Sequence, residues 1–109
     1  MATDYKVLGQ SAPSATTAAS LYTVPSATKT VCSTLTVCNR DSASGTYRVA
    51  VRPSGASLAN QHYIVFDAII PGNSTDTISI GATLAATDVV TVYASSANFS
   101  FSLFGSELT

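Results

Sequence analysis

The run Phe99-Ser100-Phe101-Ser102-Leu103-Phe104 alternates apolar and small polar residues at nearly every step. Alternation of this kind belongs to an extended strand, where successive side chains point to opposite faces, and not to the longer period of a helix. It assigns Phe99, Phe101 and Leu103 to a buried side and Ser100 and Ser102 to a wet one. Just before it stands Asp88-Val89-Val90-Thr91-Val92-Tyr93-Ala94, joined through Ser95-Ser96-Ala97-Asn98. Two strand-like runs with so short a link predict an antiparallel hairpin.

The rest of the chain repeats this grammar. Short runs over Asp4–Gln10, Leu21–Val24, Thr30–Asn39, Thr46–Arg52, Gln61–Ile70 and Ser74–Ile80 are punctuated by Pro25, Asp41–Gly45, Pro53-Ser54-Gly55 and Pro71-Gly72-Asn73. These are residues that stop strands and make turns. In Thr30–Asn39, alternation puts Val31, Ser33, Leu35 and Val37 on one face and Cys32, Thr34, Thr36 and Cys38 on the other. In Thr46–Arg52 it turns Tyr47, Val49 and Val51 inward and Arg48, Ala50 and Arg52 outward. Ile78 and Ile80 read as inward. Gln61–Ile70 is apolar on both faces and predicts a central strand covered on both sides. Gly81–Thr87 reads as the crossing to the final hairpin, with Leu84-Ala85-Ala86 too short for a helix.

The expected fold is all-β: an antiparallel β-sandwich or jelly roll of about eight strands. Residues 1–20 read as an N-terminal strand and low-complexity arm, and residues 21–109 as the sandwich domain. The stretch Ser11–Ser20 has no apolar period. The first strand therefore sits on a leash, and it can pair with its own sheet or with a neighbour's edge. Tyr5, Val7 and Leu8 on that strand are candidate partner contacts.

Charge narrows the function. Of 109 residues only 10% are charged, against about 25% in ordinary soluble domains, and the net charge is −1. Lys6, Lys29, Arg40, Arg48 and Arg52 are scattered, which gives phosphates no basic patch and argues against nucleic-acid binding. No apolar run approaches the ~20 residues a membrane helix needs. Met1–Lys6 lacks the features of a signal peptide, so folding in a cytoplasm is expected. A surface of Ser, Thr, Ala and Asn packs against a neighbour with few charges to desolvate, and that favours a subunit of an assembly. Cys32 and Cys38, six positions apart on one strand, would lie ~20 Å from each other, too far for a disulfide.

No reactive constellation stands out. His62 is the single histidine and reads as a structural or rim residue. A triad of His62, Asp67 and a serine can be written on paper, but no Gly-x-Ser-x-Gly elbow exists to expose the serine. Asp67 is expected to pair with an arginine of a neighbouring strand. Arg48 and Arg52 share a face: they are either a solvated surface that discourages edge pairing or contacts for a partner's carboxylates. The acids Asp4, Asp41, Asp67, Asp76, Asp88 and Glu107 form neither a glycosidase pair nor a calcium loop, and the glycines form no phosphate loop. The sequons at Asn73 and Asn98 are expected from chance in so Ser/Thr-rich a chain. The reading assigns no catalytic residue, no cofactor and no metal. Five tyrosines could stack on sugars as in a lectin, but their strand positions favour the core.

A resemblance then adds to the residues. The phrases Val7-Leu8-Gly9-Gln10-Ser11-Ala12-Pro13, Leu21-Tyr22-Thr23-Val24-Pro25, Thr36-Val37-Cys38-Asn39-Arg40 and Tyr47-Arg48-Val49-Ala50-Val51-Arg52-Pro53 come in sequence. Leu58-Ala59-Asn60-Gln61-His62-Tyr63-Ile64, Leu84-Ala85-Ala86-Thr87-Asp88 and Leu103-Phe104-Gly105-Ser106-Glu107 follow. Together they resemble small β-rich virion structural proteins of tailed bacteriophages. The closing hairpin is more weakly similar to the trimeric jelly-roll heads of the tumour-necrosis-factor-like class. The resemblance implies a non-enzymatic virion protein, folded in the host cytoplasm. It implies assembly with copies of itself, as a trimer, and with other virion proteins, in the tail, baseplate or fibre. Capsid decoration is the alternative location. A module binding a host glycan or receptor through loops such as Ser54–Asn60 and Ser95–Asn98 is the alternative function.

Overall fold

Eight strands account for the chain in a computed structural model that describes residues 2–109. They are β1 (Thr3–Ser11), β2 (Ala19–Thr23), β3 (Lys29–Asn39), β4 (Gly45–Arg52), β5 (Tyr63–Ile70), β6 (Ser74–Leu84), β7 (Val89–Ala94) and β8 (Phe99–Leu108). Two single 3₁₀ turns, Pro53–Gly55 and Asn60–His62, lie between β4 and β5. The strands form two four-stranded antiparallel sheets packed as a β-sandwich. Sheet A has the order β1-β8-β3-β6 and sheet B the order β2-β7-β4-β5. Within them β1 pairs with β8, β2 with β7, β3 with β6 and β4 with β5, so the pairs are nested around the β4–β5 connection.

The strand that opened the reading lies at the centre. Phe99, Phe101 and Leu103 are wholly buried between the sheets. They pack with Leu35 and Val37 of β3 and face Tyr47, Val49, Val90 and Val92 of sheet B. Tyr47 meets Phe101 edge to face at 6.2 Å between ring centroids. Each such side chain contributes ~1.5–3 kcal/mol of apolar burial. Ile78 and Ile80 pack against this core from β6.

Several expectations need correction. The expected final hairpin does not form: β7 pairs with β2 and β4 in sheet B and β8 with β1 and β3 in sheet A, so the Ser95–Asn98 link crosses from one sheet to the other. The strand covered on both sides is β7, where Val89, Val90, Thr91 and Val92 are all buried. The apolar run Tyr63–Ile70 is instead the edge strand β5, with Ile64 and Phe66 exposed and Ile69 70% exposed. Apolar content on two faces does not locate a strand within its sheet. In β3, register shifts between Cys32 and Thr34 against both neighbours: Ser33 is the extra residue against β8, while against β6 the extra residue lies on β6. Thr30 and Cys32 therefore point inward with Leu35 and Val37, while Val31 and Ser33 face out. Finally, β6 runs on to Leu84, where a crossing was expected. Its own bulge falls at Ile80-Gly81 opposite Ser33, and the Gly81 φ of +61° is open to glycine at little cost. On β4, Ala50 is buried and Val51 only half-buried.

The segment expected as an arm is an edge strand and its link. β1 pairs along its length with β8 of its own sheet. Gly9 lies so close to β2 that a Cβ there would stand 2.2 Å from the Leu21 carbonyl oxygen. The link carries a buried Pro13, and its Thr16 amide donates to the Ala94 carbonyl.

Candidate interaction surfaces

The polar groups of the sandwich are largely engaged with one another. At one end the β3–β4, β5–β6 and β7–β8 loops are tied by buried Asn39. Its amide nitrogen donates to the carbonyls of Ala43, Ile70 and Pro71, and its Oδ1 accepts from the Asp41 amide. Asp41 in turn accepts from Ser96 and Asn98. The Ala43 amide first, and then those donors, hold its carboxyl below the usual carboxylate range. Toward the other end, Glu107 of β8 bridges the sheets. It accepts from the Tyr22 hydroxyl of β2 and from Lys6 Nζ of β1 at 3.2 Å. The Tyr22 hydroxyl lies 2.8 Å from Thr30 Oγ1. The Tyr22 bond lowers the Glu107 pKa, while burial first and Glu107 second raise that of Tyr22. Among the described residues, no buried side-chain polar atom lacks a partner.

The residues singled out for chemistry are drawn into this same internal bonding. His62 Nδ1 accepts from the Ala59 amide at 3.0 Å, closing a 3₁₀ turn. Asp67 takes both of its oxygens to Arg48, at 2.7 Å from Nε and 3.2 Å from Nη2. The paper triad is thus not joined: His62 and Asp67 each hold a different partner. The Arg48–Asp67 pair realises the expected cross-strand ion pair. Asp67 sits in a bulge of β5 at φ +53°, a conformation that Asp tolerates better than most residues. Arg52 donates to Thr91 Oγ1 and to the carbonyls of Gly55 and Ala56.

Two outer faces remain. On sheet B, the Arg48 guanidinium lies 4.2 Å from the Phe66 ring centroid and 4.4 Å from that of Tyr93. Tyr63 meets Phe66 edge on at 5.0 Å. This aromatic platform, with Phe66 58% exposed, extends along β5 to Ile69. Arg48, a candidate partner contact, is thus already engaged within its own chain, as is Arg52.

On sheet A the outward positions carry almost no charge. β8 offers Ser100, Ser102, Phe104 and Ser106, and β3 offers Val31, Thr34, Thr36 and Cys38. β6 offers Thr75, Thr77, Ser79 and Thr83. On β1, Tyr5 is 83% exposed and Val7 is exposed beside it, while Leu8 turns in toward the core at a bulge. Tyr5, Val7, Val31 and Phe104 line one shallow apolar groove across three strands. Sequence reasoning found Tyr5 and Val7 but missed Val31, because the Ser33 bulge that turns it outward leaves no mark in the alternation.

No protein-family model matches the chain, and neither curated proteins nor solved structures give a significant match. What defines it is the fold: an eight-stranded antiparallel β-sandwich whose two outer faces differ, one aromatic and ion-paired, the other neutral.

Proposed function

We propose that the chain is a non-enzymatic structural subunit of a tailed-phage virion that assembles as a symmetric oligomer. The observation that carries this reading is the exposure of large apolar side chains on both sheets, Tyr5, Val7, Phe66 and Ile69 foremost, in a chain with so few charges. Exposed apolar patches on a small domain mark surfaces that meet a partner. The nested pairing of the strands supports reading the sandwich as a jelly roll. The phage assignment itself rests on the sequence resemblance, which favours the tail, baseplate or fibre over capsid decoration. Mass spectrometry of purified particles tests it: the chain is expected in mature virions, in tens of copies for the tail or hundreds for the shell. Its absence from mature particles overturns the reading.

A second reading, a glycan-binding module, is favoured by the platform of Tyr63, Phe66 and Tyr93 beside the half-exposed Asp67 carboxylate. Binding on a glycan array that is lost in Phe66→Ala would support it, and no binding on the array would remove it.

A further inference from the structure

We infer that the outer face of sheet A is where a second copy of this chain docks, face to face. The inference rests on the proposed assembly and assigns it a surface.

Three observations converge. The first is charge. Of the eleven Lys, Arg, Asp and Glu residues, Lys29 at a corner beside β8 and Arg40 at the opposite loop end reach this face, and Lys6 borders its groove from the β1 edge. Asp4 and Glu107 turn to the other side of β1 and β8, Asp76 bonds the Tyr47 hydroxyl, and Arg48, Asp67 and Arg52 belong to sheet B. Arg40, at the loop end, bonds Ser100 Oγ at 2.7 Å. An isologous contact sets each surface against its own copy, so a face with charge of one sign would repel itself. With its charges confined to the borders, the Ser/Thr middle of this face does not, and it has little to offer a strongly charged partner.

The second is composition. The patch of Tyr5, Val7, Val31 and Phe104 runs inward from the free β1 edge, and Ser and Thr flank it along β8, β3 and β6. Interfaces likewise join an apolar patch to polar flanks. The third is area. Four strands of about ten residues cover ~33 by ~19 Å, a flat footprint of ~600 Å² per copy. Two footprints give ~1,200 Å², the lower end of what specific interfaces bury. Packing two such sheets at the usual aligned angle of about 30° brings sandwich against sandwich. Copies then come in pairs, as a dimer or as a trimer doubled into a hexamer.

Cys38 supplies a probe that needs no mutation. It lies on this face, half-buried and free, whereas Cys32 is buried in the core. The expected solution mass is an even multiple of the 11.2 kDa chain. Alkylation of Cys38 by iodoacetamide should slow by about tenfold from dilute to concentrated protein as the face is covered. Val31→Glu should halve the solution mass by light scattering while circular dichroism shows the fold intact, and Ile69→Glu on sheet B should keep the paired mass. Ser102→Glu serves as a second variant if Val31→Glu fails to fold. An oligomer broken by Ile69→Glu but not by either sheet A variant, or Cys38 alkylation independent of concentration, overturns this face and leaves the assembly reading standing. A wild-type monomer at every concentration overturns both. A paired protein that is missing from virions overturns only the phage assignment.

Discussion

Asn39→Ala should cost about 3 kcal/mol of stability, and the number follows from counting what the amide holds. The side chain is 1% exposed. It donates to the Ala43, Ile70 and Pro71 carbonyls at 3.0, 3.2 and 3.3 Å and accepts from the Asp41 amide at 3.0 Å. Two N–H groups shared among three carbonyls count as two bonds, and the accepted bond makes a third. At ~1 kcal/mol net for each, the loss is ~3 kcal/mol. For a domain of this size that lowers the melting temperature by roughly 12 °C, at about 4 °C per kcal/mol. Thermal and urea unfolding measure it. Asn39→Asp separates bonding from volume. It keeps an acceptor for Asp41 but turns an oxygen toward three carbonyl oxygens, so the carboxyl fits only when protonated. Its folded pKa is then raised, and its stability relative to the parent is retained below the ordinary Asp pKa and lost as pH rises above it. A loss under ~1 kcal/mol for Asn39→Ala, or an Asn39→Asp penalty that stays flat with pH, would refute this account.

Glu107 has a folded pKa below its ordinary value, so its contribution is present above that value and fades as pH falls through the folded pKa. The difference in melting temperature between wild type and Glu107→Gln should therefore shrink from pH 6 toward pH 2. Tyr47 is pushed up to about 12, first by burial and then by the Asp76 charge. The folded state thus holds a proton that the unfolded state sheds from pH 10 upward, and stability falls above that point. Tyr47→Phe should remove a late step from the tyrosinate absorbance titration and soften the alkaline loss. Gly9→Ala sets a methyl against the Leu21 carbonyl oxygen and should cost ~1–3 kcal/mol. Hydrogen exchange should show faster opening of the β1 amides while β3 and β7 keep their protection.

Much of the architecture was legible because alternation is read residue by residue. Phe99, Phe101 and Leu103 needed nothing beyond their own spacing, and their burial follows it. The bulge at Ser33 was not legible, since an inserted residue looks like any other until the partner strand sets the register. The rank of β5 in its sheet was hidden for a different reason. Ile64, Phe66 and Ile69 carry the composition of a covered strand yet stand exposed at an edge, so local hydrophobicity did not fix the place of the strand in its sheet. The Arg48–Asp67 pair could be anticipated in kind, but its seat between Phe66 and Tyr93 depends on three strands meeting. The neutrality of sheet A emerged only once the bulges fixed which side chains share a face.

The nested pairing also dictates an order of events. Closing β4 onto β5 spans the shortest connection, and each further pair then adds only a modest loop to what is already joined. Zippering from the middle outward is the least costly route, and the non-local character of the outer pairs makes it slow. During synthesis β1 emerges first, yet the strand that satisfies its backbone, β8, emerges last. Throughout that interval β1 is an unoccupied hydrogen-bonding ribbon beside other nascent copies, and crowding of ribosomes on one message is the circumstance in which strands would be traded between chains.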